Sequence, residues 1–306
     1  MSRPVSRPVT TAGRRARPDL RARDLPRVLS IAGSDPSGGA GVQADLKSIA
    51  AHGGYGMAAL SALTAQNTQG VRAVHVPPSS FLRAQLDAVS DDIAVDAVKV
   101  GMLARADVVG EVAAWLGRTA PPLVVLDPVM VSTSGHRLLD ADAEAAVRDL
   151  CAGADLLTPN LAELAVLVDR PAAPDWSGAL SQAAELSART GAVVLAKGGH
   201  LARSASDRGG EAGCPDALVD AAAAPVVPGG LLELPGRRLA STGTHGTGCS
   251  LSAAMATLLA RTADWAGSAR TAKAWLRGAI EHGPELEVGT GHGPVHHLHA
   301  LWAAAR

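Results

Sequence analysis

The sequence predicts an α/β fold with a mostly parallel central sheet flanked by helices on both faces. Three observations lead there. Short apolar runs alternate with longer helix-periodic stretches along nearly all of the 306 residues. The runs are apolar at successive positions rather than at alternate ones, as expected of strands covered on both faces. The polar and glycine-rich signals fall just after the runs, at the carboxyl ends where open α/β sheets bind ligands.

Taken in order, "RVLSIAG" (27–33), "AALSALTA" (58–65), "DAVKVG" (96–101), "PLVVLD" (122–127), "DLLTP" (155–159) and "AVVLAKGG" (192–199) are predicted strands. Helices are predicted between them near 39–52, 79–91, 104–117, 140–151, 160–168 and 176–190. The pattern changes after 200. "LARSASDRGGEAGCPD" (201–216) reads as a loop, and the stretch from "ALVD" to about 238 as two or three antiparallel strands. Helices at 247–261 and 268–282 follow. No internal repeat or interdomain linker is visible, so residues 27–306 are read as one domain.

Hydrophobic residues make up 47% of the chain, charged residues 19% and aromatics 2%, so the core must be built mainly from Ala, Val and Leu. Residues 1–27 hold eight Arg and two Asp; with a net charge of −1 overall and +6 in this tail, the rest carries −7. That body gives no electrostatic case for nucleic acid or an anionic membrane. The tail lacks an apolar signal region, and Pro4, Pro8 and Pro18 oppose a helix, so residues 1–26 are expected to form a disordered extension. Cys151, Cys214 and Cys249 match neither a zinc spacing nor a disulfide framework. With no apolar stretch of the ~18 residues a membrane helix requires, the expected location is the cytoplasm.

The segment "TGTHGTGCSLSAAMATLLA" (242–260) sets a glycine-rich turn and a lone cysteine at the mouth of a predicted helix. Unpaired amides and the helix dipole suit an anion there. A thiol at that point should lose its proton more readily than a free one; otherwise Cys249 is a small residue that lets the helix start near the sheet. "AGSDPSGGAGVQADL" (32–46) has small residues that would let a flat ligand approach the backbone, or form only a tight connection. Its glycines fit neither the dinucleotide fingerprint nor the phosphate-loop pattern, which weakens a dehydrogenase reading. In "TPNLAEL" (158–164), Asn160 and Glu163 form either a capping box or a site that orders Mg²⁺ through water, with Asp127 of "LDPVM" sharing that work. Lys197 of "AKGGH" would reach a nucleotide phosphate or simply lie at the surface. His200, His296 and His297 read as structural, because no metal-ligand spacing surrounds them.

Together, "AGSDPSGGAGVQADLK", "AQNTQGV", "VKVGML", "LDPVM", "TPNLAE", "KGGH", "THGTGCSLSAA" and "EVGTGHGPVHHLHALW" make the chain resemble bacterial hydroxymethylpyrimidine/phosphomethylpyrimidine kinases, in order, from about residue 28 to the C-terminus. The resemblance implies a ribokinase-like fold, ATP with Mg²⁺, small-molecule substrates and a homodimer. It places Cys249 where related sugar kinases carry an aspartate base, and makes Gly246, Thr247 and Gly248 the anion hole. Gln66 would read the pyrimidine edge, since a primary amide is both donor and acceptor. Gly33 and Asp45 would line the same pocket. Asn160 and Glu163 would serve the Mg²⁺–phosphate region, and Asp127 and Lys197 would lie near the nucleotide. Three features depart from the pattern: the Arg-rich tail, the enlarged 203–216 segment, and Met57 where relatives carry a smaller residue or a cysteine beside the pocket. Pyridoxal kinase is the alternative activity, and a non-catalytic pyrimidine- or nucleotide-binding protein the alternative class.

Overall fold

The computed structural model describes residues 20–130, 139–140, 142–201 and 213–305. Most of the predicted tail and most of the 203–216 segment lie outside these residues. Among the described residues, some before residue 27 already contact the domain. Leu20 packs on the core, the Arg23 amide donates to the Ala260 carbonyl, and the Arg23 guanidinium pairs with Asp96.

Nine strands form one sheet: β1 (Arg27–Ser34), β2 (Tyr55–Asn67), β3 (Gly70–His75), β4 (Ala97–Val100), β5 (Leu123–Leu126), β6 (Leu156–Leu157), β7 (Val193–Lys197), β8 (Asp216–Val219) and β9 (Leu231–Leu234). Their order is β3-β2-β1-β4-β5-β6-β7-β8-β9. Strands β2, β1, β4, β5, β6 and β7 run parallel, while β3 at one edge and β8 and β9 at the other are antiparallel to their neighbours. Strand order reverses between β1 and β4, which leaves a crevice at their carboxyl ends. A two-stranded parallel pair, β10 (Gly243–His245) with β11 (Gly293–Pro294), lies apart from the sheet.

Side-chain alternation along the strands builds two separate cores. Val124 and Leu126 of β5 face one layer, made by α2 (Ser79–Ser90), α3 (Ala106–Thr119), α4 (Ala143–Leu150), α5 (Leu161–Val168) and α6 (Trp176–Thr190). Leu123 and Val125 face the other, made by α1 (Gly41–Ala51), α7 (Thr247–Thr262) and α8 (Trp265–Glu281). All four β5 side chains are buried, each worth ~1.5–3 kcal/mol on transfer from water. Helix α7 is buried along its length from Ser250 to Ala260, and its Ala, Ser and Thr side chains let it lie close to the sheet and α1. A last short helix, α9 (His299–Ala304), follows β11.

Candidate active site

The carboxyl ends of the parallel strands open into a cleft of about 970 Å³. That is near the upper end of the ~300–1,000 Å³ usual for small-molecule sites. At its centre, β10 runs into Gly246 and then α7. Gly246 has φ +82, and a Cβ there would overlap the carbonyl oxygen of Gly39, so only glycine serves. No side chain caps α7, and its first turn has no acidic residue, so the amides of Thr247, Gly248 and Cys249 face the cleft with the positive end of the helix dipole. Ser250 closes the turn by donating its hydroxyl to the Gly246 carbonyl at 2.7 Å.

Under this turn lies a pair drawn from two strand ends. Lys197 Nζ donates to Asp127 Oδ1 at 3.0 Å, and Thr158 Oγ1 donates to the same oxygen at 3.1 Å. A Cβ on Gly248 would come within 3.3 Å of Lys197 Nζ and 3.6 Å of Asp127 Oδ2, so the turn stands directly over the pair. Burial disfavours both charges, but each holds the other ionised: Asp127 lies below the usual carboxylate range, and Lys197 above the usual amine range beside Asp127 and Glu163. Asn160 and Glu163 form the full capping box of α5. The Asn160 side chain accepts from the amides of Ala162 and Glu163, while Glu163 Oε2 accepts from the Asn160 amide at 2.8 Å. Both also line the cleft, so serving as the cap does not withdraw them from it. Burial, with Asp127 nearby, pushes the Glu163 carboxyl up to about 7 despite the pull of Lys197.

At the other end, Gly33 and Gln66 line the cleft beside Met102 and Thr64. A Cβ on Gly33 would sit 3.2 Å from Met102 Sδ, so glycine here lets the end of β1 lie close against Met102. The Gln66 amide lies 3.2 Å from His245 Nε2, which in turn lies 2.8 Å from Asp35 Oδ2. Asp35 also accepts from Ser37, Gly39 and Ala40, which fixes the glycine-rich loop. Burial resists its ionisation, but the His245 and Ser37 donors win and bring it down to about 2.

Two expected positions fall elsewhere. Asp45 does not line the cleft: it is fully buried on α1, accepts from Ser30 Oγ at 2.6 Å and pairs with Lys99 Nζ of β4 at 2.9 Å. Four residues after Gly41, Asp45 lies on the sheet-facing side of α1, where it pairs with a lysine. Met57 belongs to the core on the α2/α3 side rather than to the pocket wall. The expectation for Cys249 also needs correcting. It lines the cleft as predicted, yet burial, opposed by Lys99 but assisted by Asp45 and Asp127, pushes its thiol up to about 11. Desolvation is the largest influence on this thiol.

Asp35, His245 and Lys99 were not singled out from the sequence. Lys99 had a readable signal, a lysine within the otherwise apolar "AVKV". His245 and Asp35 meet across 210 positions, so spacing carries no trace of their pairing.

A mostly parallel α/β sheet whose carboxyl edge brings an uncapped helix-start turn and a lysine–acid pair into one cleft with Gln66 points to a ribokinase-like small-molecule kinase. The sequence profile of the family described as phosphomethylpyrimidine kinase matches residues 35–296, and the chain belongs to that family. It is 45% identical over 275 residues to the hydroxymethylpyrimidine/phosphomethylpyrimidine kinase of Escherichia coli, covering 90% of this chain and 98% of that one. It is 48% identical to the thiamine biosynthesis multifunctional protein ThiED of Corynebacterium glutamicum, of which it spans 34% of the length. Among solved structures it resembles the phosphomethylpyrimidine kinase of Clostridium difficile, with a TM-score of 0.69, 32% identity and coverage of 83% of this chain and 99% of that one. It also resembles the ADP complex of Bacillus subtilis pyridoxal kinase, with a TM-score of 0.76, 29% identity and coverage of 91% and 99%.

Proposed function

We propose that this chain transfers the γ-phosphoryl group of ATP to the alcohol of 4-amino-5-hydroxymethyl-2-methylpyrimidine, and then phosphorylates the monophosphate to the pyrophosphate, in thiamine biosynthesis. The observation that supports it most is a single cleft holding Gln66 at one end and the uncapped α7 turn over Lys197 at the other. The Gln66 amide suits a ring nitrogen beside an exocyclic amine. The amides of residues 247–249 would stabilise charge on the transferred group, and Lys197 would hold phosphate oxygens.

The residues present fit a hydrated, phosphate-borne Mg²⁺. Lys197 and Thr158 both occupy Asp127 Oδ1, which leaves Oδ2 directed toward Gly248, and Glu163 with Asn160 borders the same region. Among the described residues no group of three His, Cys, Asp or Glu is arranged to hold a bare ion. Bound there, the cation would neutralise charge between the phosphates. Cys249 is assigned the alcohol's proton in the first step. In the second step the nucleophile is already an anionic phosphate and needs no base.

The proposal includes a homodimer working in the cytoplasm. Exposed Leu63 and Val74 at the β2–β3 edge are the kind of apolar surface a second copy would cover, and among the described residues no helix is long and apolar enough to cross a membrane. Pyridoxal is the second candidate substrate, because pyridoxal kinases of Bacillus subtilis and Staphylococcus aureus superpose with TM-scores of 0.76. The test is the stoichiometry of ADP formed per hydroxymethylpyrimidine consumed. Two ADP per pyrimidine supports both steps, one confines the enzyme to a single step, and none overturns the kinase reading.

A further inference from the structure

Building on the pyrimidine kinase reading, we infer that His245, held by Asp35, is a positioning residue that fixes which way round the Gln66 amide faces, and so which way round the pyrimidine ring sits. The inference follows from counting donors and acceptors. Asp35 Oδ2 already accepts the amides of Ala40 at 2.8 Å and Gly39 at 3.2 Å, and a carboxylate can only accept. His245 Nε2, 2.8 Å from the same oxygen, therefore carries a proton. The structure places Gln66 Nε2 3.2 Å from that nitrogen and Oε1 toward Thr64, an assignment that donor and acceptor counting reverses. With its NH₂ turned to the histidine, Gln66 would set donor against donor. Its other end, 3.3 Å from Thr64 Oγ1, tells the same story: the single hydroxyl proton of Thr64 goes to the Ser34 carbonyl at 2.8 Å, so Thr64 can only accept from Gln66. Amide oxygen and nitrogen share one shape and are told apart by their partners. Turning the Gln66 oxygen toward His245 and its NH₂ toward Thr64 removes both mismatches: the one Nε2 proton, held mainly by Asp35, can be shared with the amide oxygen, and Thr64 Oγ1 accepts the NH₂.

In that orientation one N–H and one oxygen lone pair of Gln66 remain for a ligand, in a fixed order along the cleft wall. An aminopyrimidine, with a ring nitrogen beside an exocyclic amine, can answer that order in one sense only. A flipped amide would demand a flipped ring, which carries the neighbouring hydroxymethyl group away from the α7 turn. His245 is also the residue before Gly246, so the strand segment that orders the ring also delivers the anion turn. Gly39 reinforces the arrangement, since a Cβ there would overlap the His245 ring.

The test compares hydroxymethylpyrimidine with the analogue that lacks the 4-amino group, in wild type, His245→Ala and His245→Gln. Wild type should prefer the amino substrate by at least about tenfold in kcat/KM, since a site built to hydrogen-bond a group rejects the ligand lacking it. In His245→Ala that preference should collapse to within about threefold, through a higher KM and a lower kcat for the amino substrate, with KM for ATP within about twofold of wild type. Glutamine, which can donate to both Asp35 and Gln66, should restore the preference. Should the alanine variant not fold, His245→Phe keeps the ring's volume without its donor and must show the same collapse. A preference unchanged in these variants, both substrates losing equally, would overturn the inference in favour of a merely structural histidine. So would a wild type indifferent to the amino group. Failure of wild type to phosphorylate either pyrimidine is seen before any variant is made, and it sinks the functional reading instead.

Discussion

Cys249 lines the cleft in the first turn of α7, and its proton affinity gives its proposed role a measurable signature. With the thiol at about 11, only ~10⁻⁴ of it is thiolate at neutral pH. A base must be deprotonated to act, so the first phosphorylation should speed up with pH across the neutral and mildly alkaline range, toward the thiol's pKa. Cys249→Ala should lower the first step by ~10²–10⁴-fold, the usual weight of a general base, flatten its pH profile and leave the second step far less affected. Equal losses in both steps would make Cys249 a positioning group. Lys197 lies under the turn and pairs with Asp127, so Lys197→Met should raise KM for ATP and lower kcat in both steps, by at least about tenfold, as initial rates against ATP would show. An ATP dependence unchanged from wild type would separate Lys197 from the phosphates.

Between elements, the buried Asp45–Lys99 pair ties α1 to β4 beneath the glycine-rich loop, with both side chains fully removed from solvent. Lys99→Met should destabilise the fold by ~3–5 kcal/mol in urea melts, because it leaves a buried carboxylate without its partner. Adding Asp45→Asn should recover much of that loss. The C-terminal segment is tied to α7 in a different way. His297 is buried and lies 2.9 Å from Ser250 Oγ, whose own proton goes to Gly246, so the imidazole is the donor. Burial, with Lys47 and His296 nearby, brings His297 down to about 3. Between pH 6.5 and 3 the unfolded chain takes up a proton that the folded chain refuses. Stability therefore falls as the pH drops through that window, by up to ~5 kcal/mol from this residue. Thermal melts of His297→Gln should show a shallower acid slope than wild type.

These elements also show what local sequence carries. The inner strands were legible because covered parallel strands are apolar throughout, and α7 because glycine-rich turns announce an anion-binding helix start. β3 was not, since "GVRAVH" is an edge strand with only Val71 buried and Arg72 to His75 all exposed, so it carries no apolar run, and the "QNTQG" before it reads as a polar, glycine-containing loop rather than a hairpin turn. The two- and three-residue strands β10 and β11 are made by tertiary pairing, and short runs of that length leave no periodic pattern. Helix α8 starts at Trp265, earlier than predicted, because the Asp264 side chain caps it by accepting the Gly267 amide.

On the scale of the whole molecule, the switch in strand order places β1, β4, β5, β6 and β7 so that their carboxyl ends share one cleft. The cleft-lining residues at strand ends were readable from sequence for that reason: Gly33, Asp127 and Lys197 lie at the ends of buried runs, and Gly248 of the α7 turn lies over Asp127 and Lys197. What spans the cleft was not readable. The Asp35–His245–Gln66 chain joins the β1 end, the segment before α7 and the edge of β2 across some two hundred positions. Asp45 was misplaced because helix rotation, not position in the motif, decides which side chains reach the pocket. The central claim is that this cleft is built for an aminopyrimidine alcohol rather than for the related pyridine. The direct measurement is kcat/KM for hydroxymethylpyrimidine and for pyridoxal, with ATP, side by side on the same enzyme. The account predicts pyrimidine pyrophosphate as the main product and at least about a tenfold preference for the pyrimidine. Equal or better turnover of pyridoxal would contradict it.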